Sequence, residues 1–324
     1  MKKVTVVIPN YNGIKFLQDC LRSLFQQEPG TPEYDVLVVD NGSEDGSLEL
    51  LQDFPQVKVI ALSRNTGFCH AVNVGIRQAK TPYVILLNND TKVMSGFVAG
   101  LCHAIERNPK AFSVSAKMLM WDRPELVDDA GDLYCALGWS YARGKGRRAE
   151  LYSDAAEVFS VCGGAAIYRR SVFDEIGLFD EAHFAYLEDL DIGWRARIHG
   201  YRNFYEPSAE VIHFGSGSTG SRYNERKTIL SSANNIYVIG KNMPTIQLLL
   251  NLPFLFLGFA VKFLFFCKKG MGLLYLKGLT KGFQKLLSGK GKSKIISFQK
   301  EHLGSYIAIQ WELYLNLIRI LKKS

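Results

Sequence analysis

Four apolar segments in the first third of the chain are each followed by polar residues that could bind a charged ligand. The segments are VTVVI, DVLVVD, VKVIAL and YVILL. The polar residues that follow them are Asn10 and Asn12, Asp40, Arg64 and Asn65, and Asn88, Asn89 and Asp90. Amides and a guanidinium suit phosphates and base edges, while a carboxylate suits a divalent cation. A nucleotide is the kind of ligand that this combination fits.

The elements that must position these residues can be predicted from the apolar pattern. Between the segments, apolar residues recur at helical spacing, as in Ile14, Leu17, Leu21 and Leu24. Alternating strands and helices imply right-handed crossovers and a parallel sheet, so the predicted fold class is α/β. The run at 83–87 is apolar throughout, which suits a strand covered on both faces. The carboxyl ends of such strands face the crevice in which ligands bind.

Each strand-end residue also has a structural interpretation. The segment IPNYNG lies where a phosphate-binding fold carries GxGxxG, but it lacks those glycines, and Asn10 or Asn12 could cap the next helix. Asp40 could also be a cap, and Asp90 could cap a helix that starts near Ser95. Polar residues at four successive strand ends favour a nucleotide site over four separate caps.

A helix in the second half of the chain carries clustered acids. The segment EDLDIGWRARIHGY, residues 188–201, predicts a helix that ends at its final glycine. Glu188 and Asp191 share one face of that helix while Asp189 points elsewhere, so the three acids cannot share one function. A carboxylate there could take a proton from an attacking hydroxyl or could complement the helix dipole. The two later arginines could pair with a phosphate or with these acids.

The regions around this helix are less distinctive. Residues 108–160 are rich in Gly, Asp and Trp and predict loops that face the crevice, with Asp128 and Asp129 as candidates for sugar contact. AEVIHF predicts a strand followed by a Gly-rich loop, and residues 225–243 predict a helix.

Composition separates the C-terminal region from the rest of the chain. Of the 39 Lys and Arg residues, 14 lie in residues 241–324 with only two acids, which gives this segment a net charge of +12 and residues 1–240 a net charge of −4. The segment 248–266 contains one charged residue, Lys262. An apolar run beside lysines indicates a membrane partner and no nucleic acid. Six scattered cysteines indicate reduced thiols, and the short apolar run before Pro9 indicates no export signal.

These observations predict two domains, 1–243 and 244–324. A membrane span needs about 20 apolar residues, and Asn251, Pro253 and Lys262 weaken the run at 248–266. We therefore predict that residues 244–324 form a helical, membrane-associating region that acts as an interfacial or re-entrant anchor. This region would lie on the cytoplasmic face of the inner membrane and make the protein peripheral or monotopic. A soluble helical subdomain or a homo-oligomer contact would use the same apolar faces.

Six segments occur in an order that resembles one enzyme family. They are PNYN, VVDNGSEDGS, RNTGF, LLNNDT, YLEDLDIGWRARIHGY and VIHFGSGS. Together they resemble family 2 glycosyltransferases, and within them the bacterial rhamnosyltransferase-like branch, over about residues 3–243. The resemblance implies a GT-A fold, a nucleotide-sugar donor and an inverting reaction.

The resemblance assigns roles to individual residues. Donor contacts fall on Pro9, Asn10, Tyr11, Asn12, Asp40, Asn41, Ser43, Arg64, Asn65, Gly67, Asn88 and Asn89. The metal, Mg²⁺ or Mn²⁺, is expected on Asp90, the one carboxylate of an Asp-x-Asp-like motif that here reads NND, and on His213. Asp189 is expected to be the base, with Glu188 beside it as a second catalytic candidate. Acceptor contacts fall on Gly163, Gly164, Asp191 and Trp194.

The resemblance implies transfer of a hexosyl or deoxyhexosyl unit, rhamnose from a dTDP donor, to a lipid-linked saccharide in cell-surface polysaccharide synthesis. Two other functions stay open from the residues. A sugar-1-phosphate nucleotidyltransferase would need a Gly-rich basic loop after the first strand, where PNYNGIKF offers only Lys15. A catalytically impaired saccharide-binding or scaffold protein would explain the reduced acidic motif.

Overall fold

The computed structural model describes residues 2–215 and 224–321. Its strands are β1 (Val4–Asn10), β2 (Tyr34–Asp40), β3 (Val57–Ala61), β4 (Tyr83–Leu87), β5 (Thr91–Val93), β6 (Ala111–Met120), β7 (Val127–Asp129), β8 (Asp132–Cys135), β9 (Trp139–Ala142), β10 (Ala156–Val158), β11 (Ala165–Arg169) and β12 (Arg202–His213). Its α-helices are α1 (Ile14–Leu24), α2 (Ser47–Leu51), α3 (Phe68–Gln78), α4 (Phe97–Arg107), α5 (Val172–Ile176), α6 (Glu188–Ile198), α7 (Glu225–Asn242), α8 (Thr245–Lys268), α9 (Gly272–Leu287), α10 (Gly289–Lys292) and α11 (Leu303–Leu321).

One large sheet carries the candidate site. Its order is β10-β12-β6-β11-β4-β1-β2-β3, with β5 paired to β12 and β7 paired to β6. The strands β4, β1, β2 and β3 are parallel to one another, as the alternation of strands and helices predicts. β11 inserts antiparallel between β4 and β6. The α/β prediction is therefore confirmed, and the antiparallel strands extend the sheet beyond the part that the sequence indicated.

Apolar side chains on both faces of the sheet explain the all-apolar strands. Val84, Ile85 and Leu86 of β4 are fully buried. Ile85 packs in one core cluster with α1 and α4, while Val84 and Leu86 pack in a second cluster with α3 and α5. A strand covered on both faces leaves only its end open, which directs the residues after β4 towards the crevice.

The prediction of loops over residues 108–160 is wrong. The segment contains the ten-residue strand β6, which pairs with both β11 and β12, and four shorter strands. Its polar and glycine residues lie mainly in the short strands and their turns, which hid the strand pattern.

The C-terminal region shares a core with the domain that precedes it. A third apolar cluster contains Trp194 and Ile198 of α6, Leu255 of α8, and Ile309 and Leu313 of α11. The predicted boundary at 243/244 coincides with the break between α7 and α8, but this core extends across it. Removal of residues 244–324 would expose the buried side of α6 to water.

Candidate active site

Side chains at the ends of β1 and β2 and just after β4 are joined by hydrogen bonds at one edge of the sheet. The amide of Asn10 donates to Oδ2 of Asp40 at 2.8 Å. The Oδ1 atom of Asn10 accepts a 2.6 Å hydrogen bond from the amide of Asn89. The hydroxyl of Ser43 accepts from the backbone N–H of Asn12 at 2.9 Å. The predicted convergence of these strand ends is therefore present.

The loop after β3 joins the same edge. Asn41 accepts hydrogen bonds from the backbone N–H and the hydroxyl of Thr66, at 2.9 and 2.8 Å. Asn65 accepts from the backbone N–H of Gly67 at 2.9 Å. The side chain of Arg64 is exposed and forms no ion pair with residues 2–215 or 224–321. Its charge is therefore available to an anionic ligand.

Accessibility divides the predicted donor residues into two groups. Asn10 and Asp40 are completely buried, so the expectation that they contact the nucleotide directly is corrected to one of loop positioning. Tyr11 is 40% exposed, and Asn12 and Arg64 are also exposed. Four more predicted donor residues on the same edge are partly exposed: Pro9, Ser43, Asn65 and Asn88. The other three are buried: Asn41, Gly67 and Asn89. Neither Asn10 nor Asn12 caps α1, since Gly13 occupies the N-cap position and the first N–H of the helix, on Ile14, donates to Oδ2 of Asp45 at 2.9 Å.

Asp90 and His213 come together as predicted for metal ligands. Oδ1 of Asp90 lies 3.5 Å from Nε2 of His213, a separation that two ligands of one cation can adopt. The helix after Asp90 begins at Phe97 with Gly96 at its N-cap, so Asp90 does not cap it. The carboxylate and the imidazole thus fit a divalent cation. Within the described residues no group of three or more His, Cys, Asp or Glu residues surrounds this point, so the remaining ligands would be phosphate oxygens and water.

Asp128 orients the imidazole of His213. Its Oδ2 lies 2.8 Å from Nδ1 of His213, and its Oδ1 contacts Lys145. Burial alone would lower the pKa of His213, but the hydrogen bonds with Asp128 and Asp90 raise it to about 9. A carboxylate on Nδ1 is the usual support for a histidine that ligates through Nε2. The expected sugar contact of Asp128 is corrected to this supporting contact.

The two candidate catalytic acids start helix α6. Glu188 is buried, and its Oε2 atom has no hydrogen-bond partner within the described residues. Burial raises the pKa of Glu188 to about 7, and the charges of Asp132 and Asp191 contribute. Burial also raises the pKa of Asp189 well above its usual range, with Glu188 adding to the shift. Carboxyl groups with raised pKa values are stronger bases once they lose their proton.

The Gly163–Gly164 turn separates the two halves of the site. A Cβ atom on Gly163 would lie 2.5 Å from Oδ1 of Asp189, and one on Gly164 would lie 2.9 Å from Nδ2 of Asn88. The turn therefore contacts both Asp189 and the residue after β4. Only glycine permits this close approach of the acid to the backbone.

Sequence reasoning missed Asp132. This residue starts β8 and is partly exposed, and burial together with the charge of Asp189 raises its pKa to about 7. The preceding Asp129 is buried and accepts a 2.7 Å hydrogen bond from the backbone N–H of Gly131, which removes it as a sugar contact. The segment VDDAGD, with three acids around one glycine, was the available signal.

Two predicted acceptor residues do not reach the crevice. Asp191 and Trp194 are completely buried, so the prediction that they contact the acceptor is wrong. Asp191 accepts hydrogen bonds from Arg195 at 3.0 Å and from Lys241 at 2.9 Å. Arg197 pairs with acids of the protein, Glu157 and Glu312. Neither arginine of α6 is therefore placed to bind a phosphate. The Gly-rich loop that was predicted beside His213 lies, from residue 216 onward, outside the described residues.

Comparisons with known proteins agree with this geometry. The family model described as "Glycosyl transferase family 2" matches residues 5–177. The chain is 32% identical over 213 residues to N-acetylglucosaminyl-diphospho-decaprenol L-rhamnosyltransferase of Mycobacterium tuberculosis, which covers 57% of this chain and 68% of that protein.

Two solved structures share the fold. One is GalNAc-T7 with UDP, GalNAc and Mn²⁺, with a TM-score of 0.58 and 17% identity over 74% of this chain and 48% of that one. The other is the mannosyltransferase PcManGT from Pyrobaculum calidifontis with GDP-Man and Mn²⁺, with a TM-score of 0.54 and 17% identity over 96% of this chain and 86% of that one. The family match includes β1 to β4 and their polar ends, and the expected resemblance is confirmed. The chain therefore belongs to glycosyl transferase family 2, has the GT-A fold and is a glycosyltransferase.

Proposed function

We propose that this glycosyltransferase transfers rhamnose from a dTDP-sugar, with inversion, to a saccharide linked to a polyprenyl diphosphate in cell-surface polysaccharide synthesis. The observation that carries the proposal is the Gly163–Gly164 turn, which contacts Asp189 on one side and the end of β4, two residues before Asp90, on the other. The mycobacterial relative, an N-acetylglucosaminyl-diphospho-decaprenol L-rhamnosyltransferase, supports the choice of rhamnose and of a lipid-diphosphate carrier.

The donor would lie across the loops after β1, β2 and β3. Arg64 offers a full positive charge to the diphosphate, and Tyr11 offers an exposed ring to the nucleoside. The buried bonds of Asn10 with Asp40 and Asn89 hold these loops before the donor arrives. A preorganised site does not have to order itself during the reaction.

Asp90 and His213 are the residues that would hold a divalent cation, with Asp128 fixing the imidazole. When bound, Mg²⁺ or Mn²⁺ supplies positive charge to the departing nucleoside diphosphate. Binding would displace the proton on Nε2 of His213, and Asp128 would keep the Nδ1 proton in place.

Asp189 would take the proton of the acceptor hydroxyl. The Gly163–Gly164 turn lies directly against its carboxylate, and burial together with the charge of the neighbouring Glu188 keeps its pKa high. A base of this kind suits an inverting reaction, since the hydroxyl loses its proton as it attacks the anomeric carbon.

Transfer can be tested on purified full-length protein. We expect dTDP-rhamnose, among a panel of nucleotide sugars, to be consumed with Mn²⁺ or Mg²⁺ and polyprenyl-diphosphate-linked N-acetylglucosamine. NMR of the product should show an anomeric configuration opposite to that of the donor. Retention of configuration, or transfer from another nucleotide sugar alone, would reject the corresponding part of the proposal.

The C-terminal helices support the proposed lipid-linked acceptor because their surface is apolar. The buried stripe of α8 includes polar Gln247 and Asn251, whereas Leu249 and Phe256 are 63% and 78% exposed. Asn251 exchanges hydrogen bonds of 2.8 and 3.1 Å with Gln310 of α11. A helix with polar residues inside and apolar residues outside fits a lipid environment.

We propose that α8 lies along the membrane surface. Among the described helices it alone is long and apolar enough to cross a bilayer, with 24 residues and an 18-residue stretch of mean hydropathy 2.1. Its middle, however, packs on the β8–β9 hairpin, where a Cβ on Gly258 would lie 2.0 Å from the carbonyl oxygen of Leu137. Trp139 also donates to the carbonyl of Gly258 at 3.0 Å. These contacts hold the helix against the polar domain, which favours the interfacial position on the cytoplasmic face.

Vesicle binding tests this position. The full chain should sediment with vesicles of anionic phospholipid at low salt, and bind less to vesicles of phosphatidylcholine, because exposed lysines such as Lys268 and Lys277 contribute about 1 kcal/mol each near an anionic surface. Phe256→Ser should weaken vesicle binding. Leu151→Ser is the control and should not weaken it, because Leu151, although 67% exposed, lies on the domain that precedes the C-terminal region. Equal loss in both variants, or no binding at all, would reject the membrane assignment.

A further inference from the structure

A strained segment leads directly into the catalytic acids. We call residues 183–187 the strap, because they connect the 3-10 turn Glu181–His183 to α6. Within it Phe184, Tyr186 and Leu187 have φ values of 63°, 72° and 64°. Side chains disfavour this left-handed region, so such residues persist only where the surrounding structure holds them.

One buried side chain holds the strap. Asn234 of α7 is completely buried, and its Nδ2 atom donates to the carbonyl oxygens of His183, Ala185 and Tyr186 at 3.0, 2.9 and 2.8 Å. An amide group has two hydrogens, so at least one is shared between two of these acceptors. A single amide thus fixes three of the strap's five carbonyl groups.

The C-terminal region orients that amide. Nζ of Lys285, on α9, lies 2.7 Å from Oδ1 of Asn234 and 2.6 Å from the carbonyl oxygen of Ala182. Because an ammonium group can only donate, it fixes the amide oxygen of Asn234 towards itself and the amide nitrogen towards the strap. The ammonium group of Lys285 therefore faces the protein, unlike the exposed Lys268 and Lys277 of the same region.

The opposite side of the strap contacts the loop between β3 and α3, residues 62–67, which we call the donor loop. A Cβ atom on Gly67, which has φ 91°, would lie 2.7 Å from the carbonyl oxygen of Phe184. The backbone N–H of Cys69 donates to the same oxygen at 3.3 Å. At the other end, the carbonyl of Leu187 accepts from the backbone N–H of Asp191 and starts α6. The strap therefore spans from the donor loop to the acids.

We propose that Asn234, oriented by Lys285, is a positioning residue for transfer. It holds the strap in the conformation that sets Glu188 and Asp189 against the bound donor. Through Lys285 it also links the position of these two acids to helix α9 of the C-terminal region. The inference rests on the proposed function for the role of the two acids. Asn234 itself touches neither substrate.

Kinetics of the full-length protein test the proposal. Asn234→Ala should lower kcat for transfer by about 10²-fold, the cost of a small misplacement of reacting groups, and leave KM for the nucleotide sugar unchanged. Lys285→Met should lower kcat less, and Lys285→Arg should restore it, because arginine can donate to the same two oxygens.

Asn235→Ala is the matched control. Asn235 is the next residue on α7 and is also buried, but its amide donates to the carbonyl of Gly138 at 2.9 Å and accepts from the hydroxyl of Tyr134. We expect it to lower the melting temperature while kcat is retained. An equal loss of kcat in both asparagine variants, or a normal kcat in Asn234→Ala, would overturn the proposal.

Hydrogen exchange provides a readout that does not depend on the reaction. Backbone amides from residue 184 to the first turn of α6 should exchange faster in Asn234→Ala than in the wild type or in Asn235→Ala. Unchanged exchange there would overturn the inference even if the wild type transferred no sugar. Absent transfer by the wild type would instead reject the proposed function, so the two failures are distinguishable. Lys285→Met provides the same exchange test if Asn234→Ala does not fold.

Discussion

Lys241→Met should destabilise the protein by removing a buried positive charge. Nζ of Lys241 lies 2.8 Å from Oδ2 of Asp180 and 2.9 Å from Oδ2 of Asp191, and all three residues are buried. Methionine keeps most of the length of the side chain but neutralises neither carboxylate. Loss of one partner from a buried ion pair costs about 3 to 5 kcal/mol.

The remaining contacts of the two carboxylates set the magnitude. Asp191 keeps Arg195 at 3.0 Å and Asn242 at 2.9 Å. Asp180 keeps the hydroxyl of Tyr237 at 2.9 Å. Because both acids retain donors, we expect a loss of free energy of unfolding near the lower end of that range, about 3 kcal/mol.

The loss should also depend on pH. Burial opposes ionisation of Asp180 and Asp191, but Lys241 and the other donors and cations around the two acids together outweigh it and lower both pKa values. Depressed carboxyl pKa values stabilise the folded state above the unfolded pKa of about 4, and this contribution is lost as pH falls through the folded values. In Lys241→Met the two pKa values rise, so the carboxylates can protonate, and the difference from wild type should be smaller at pH 4 than at pH 7.

Urea unfolding followed by tryptophan fluorescence measures these differences. Lys2→Met is the matched control, since Lys2 pairs with Asp35 at 2.7 Å on the surface, where exposed pairs contribute little. It should leave unfolding unchanged. If Lys241→Met were no less stable than Lys2→Met, or if its loss were the same at both pH values, the ion-pair reasoning would be refuted.

The remaining predictions concern metal and pH. Excess EDTA should abolish transfer, and Mg²⁺ or Mn²⁺ should restore it; full activity in excess chelator would contradict the metal requirement. Asp90→Ala should need far more metal for transfer, and His213→Ala should show a milder form of the same effect. Asp128→Asn should lower metal affinity about 10 to 100-fold. For the wild type, kcat/KM should rise with pH along a limb well above the ordinary carboxyl pKa of about 4, since the base Asp189, whose pKa is raised by burial and by the charge of Glu188, must be ionised to accept a proton. Glu188→Gln should move that limb to lower pH by removing a charge that raises the pKa of Asp189, and an unmoved limb would remove Glu188 from the coupled pair.

The predicted strand ends were readable because their signal is local. All-apolar runs followed by polar residues specify β1 to β4 and their open ends, and parallel pairing then brings Asn10, Asp40 and Asn89 together. Asp90 and His213 are far apart in sequence, but Asp90 directly precedes β5, whose Thr91 pairs with His213 at the end of β12. The family resemblance predicted that Asp90 and His213 come together, which the periodicity of apolar residues could not predict.

Burial on α6 could not be read from the sequence. That helix is covered on almost every side, so its apolar residues mark no single face, and Asp191 and Trp194 gave no sign that they point inward. In the sequence Asn234 looks like any polar residue of a helix, because its role depends on hydrogen bonds to the strap, which lies beside it only in the fold. The buried polar stripe of α8 was hidden for the same reason, since its partner Gln310 comes from α11.

The transfer rate of Asp189→Asn tests the central claim most directly. Asparagine keeps the shape of the side chain and its contact with Gly163 but cannot accept the hydroxyl proton. Transfer of rhamnose to the polyprenyl-linked acceptor should fall by about 10² to 10⁴-fold, the contribution of a general base, while nucleotide binding and the melting temperature stay near those of wild type. A variant that transfers at the wild-type rate would contradict the assignment of Asp189 as the base and place that role on another carboxylate of the cluster, Glu188 or Asp132.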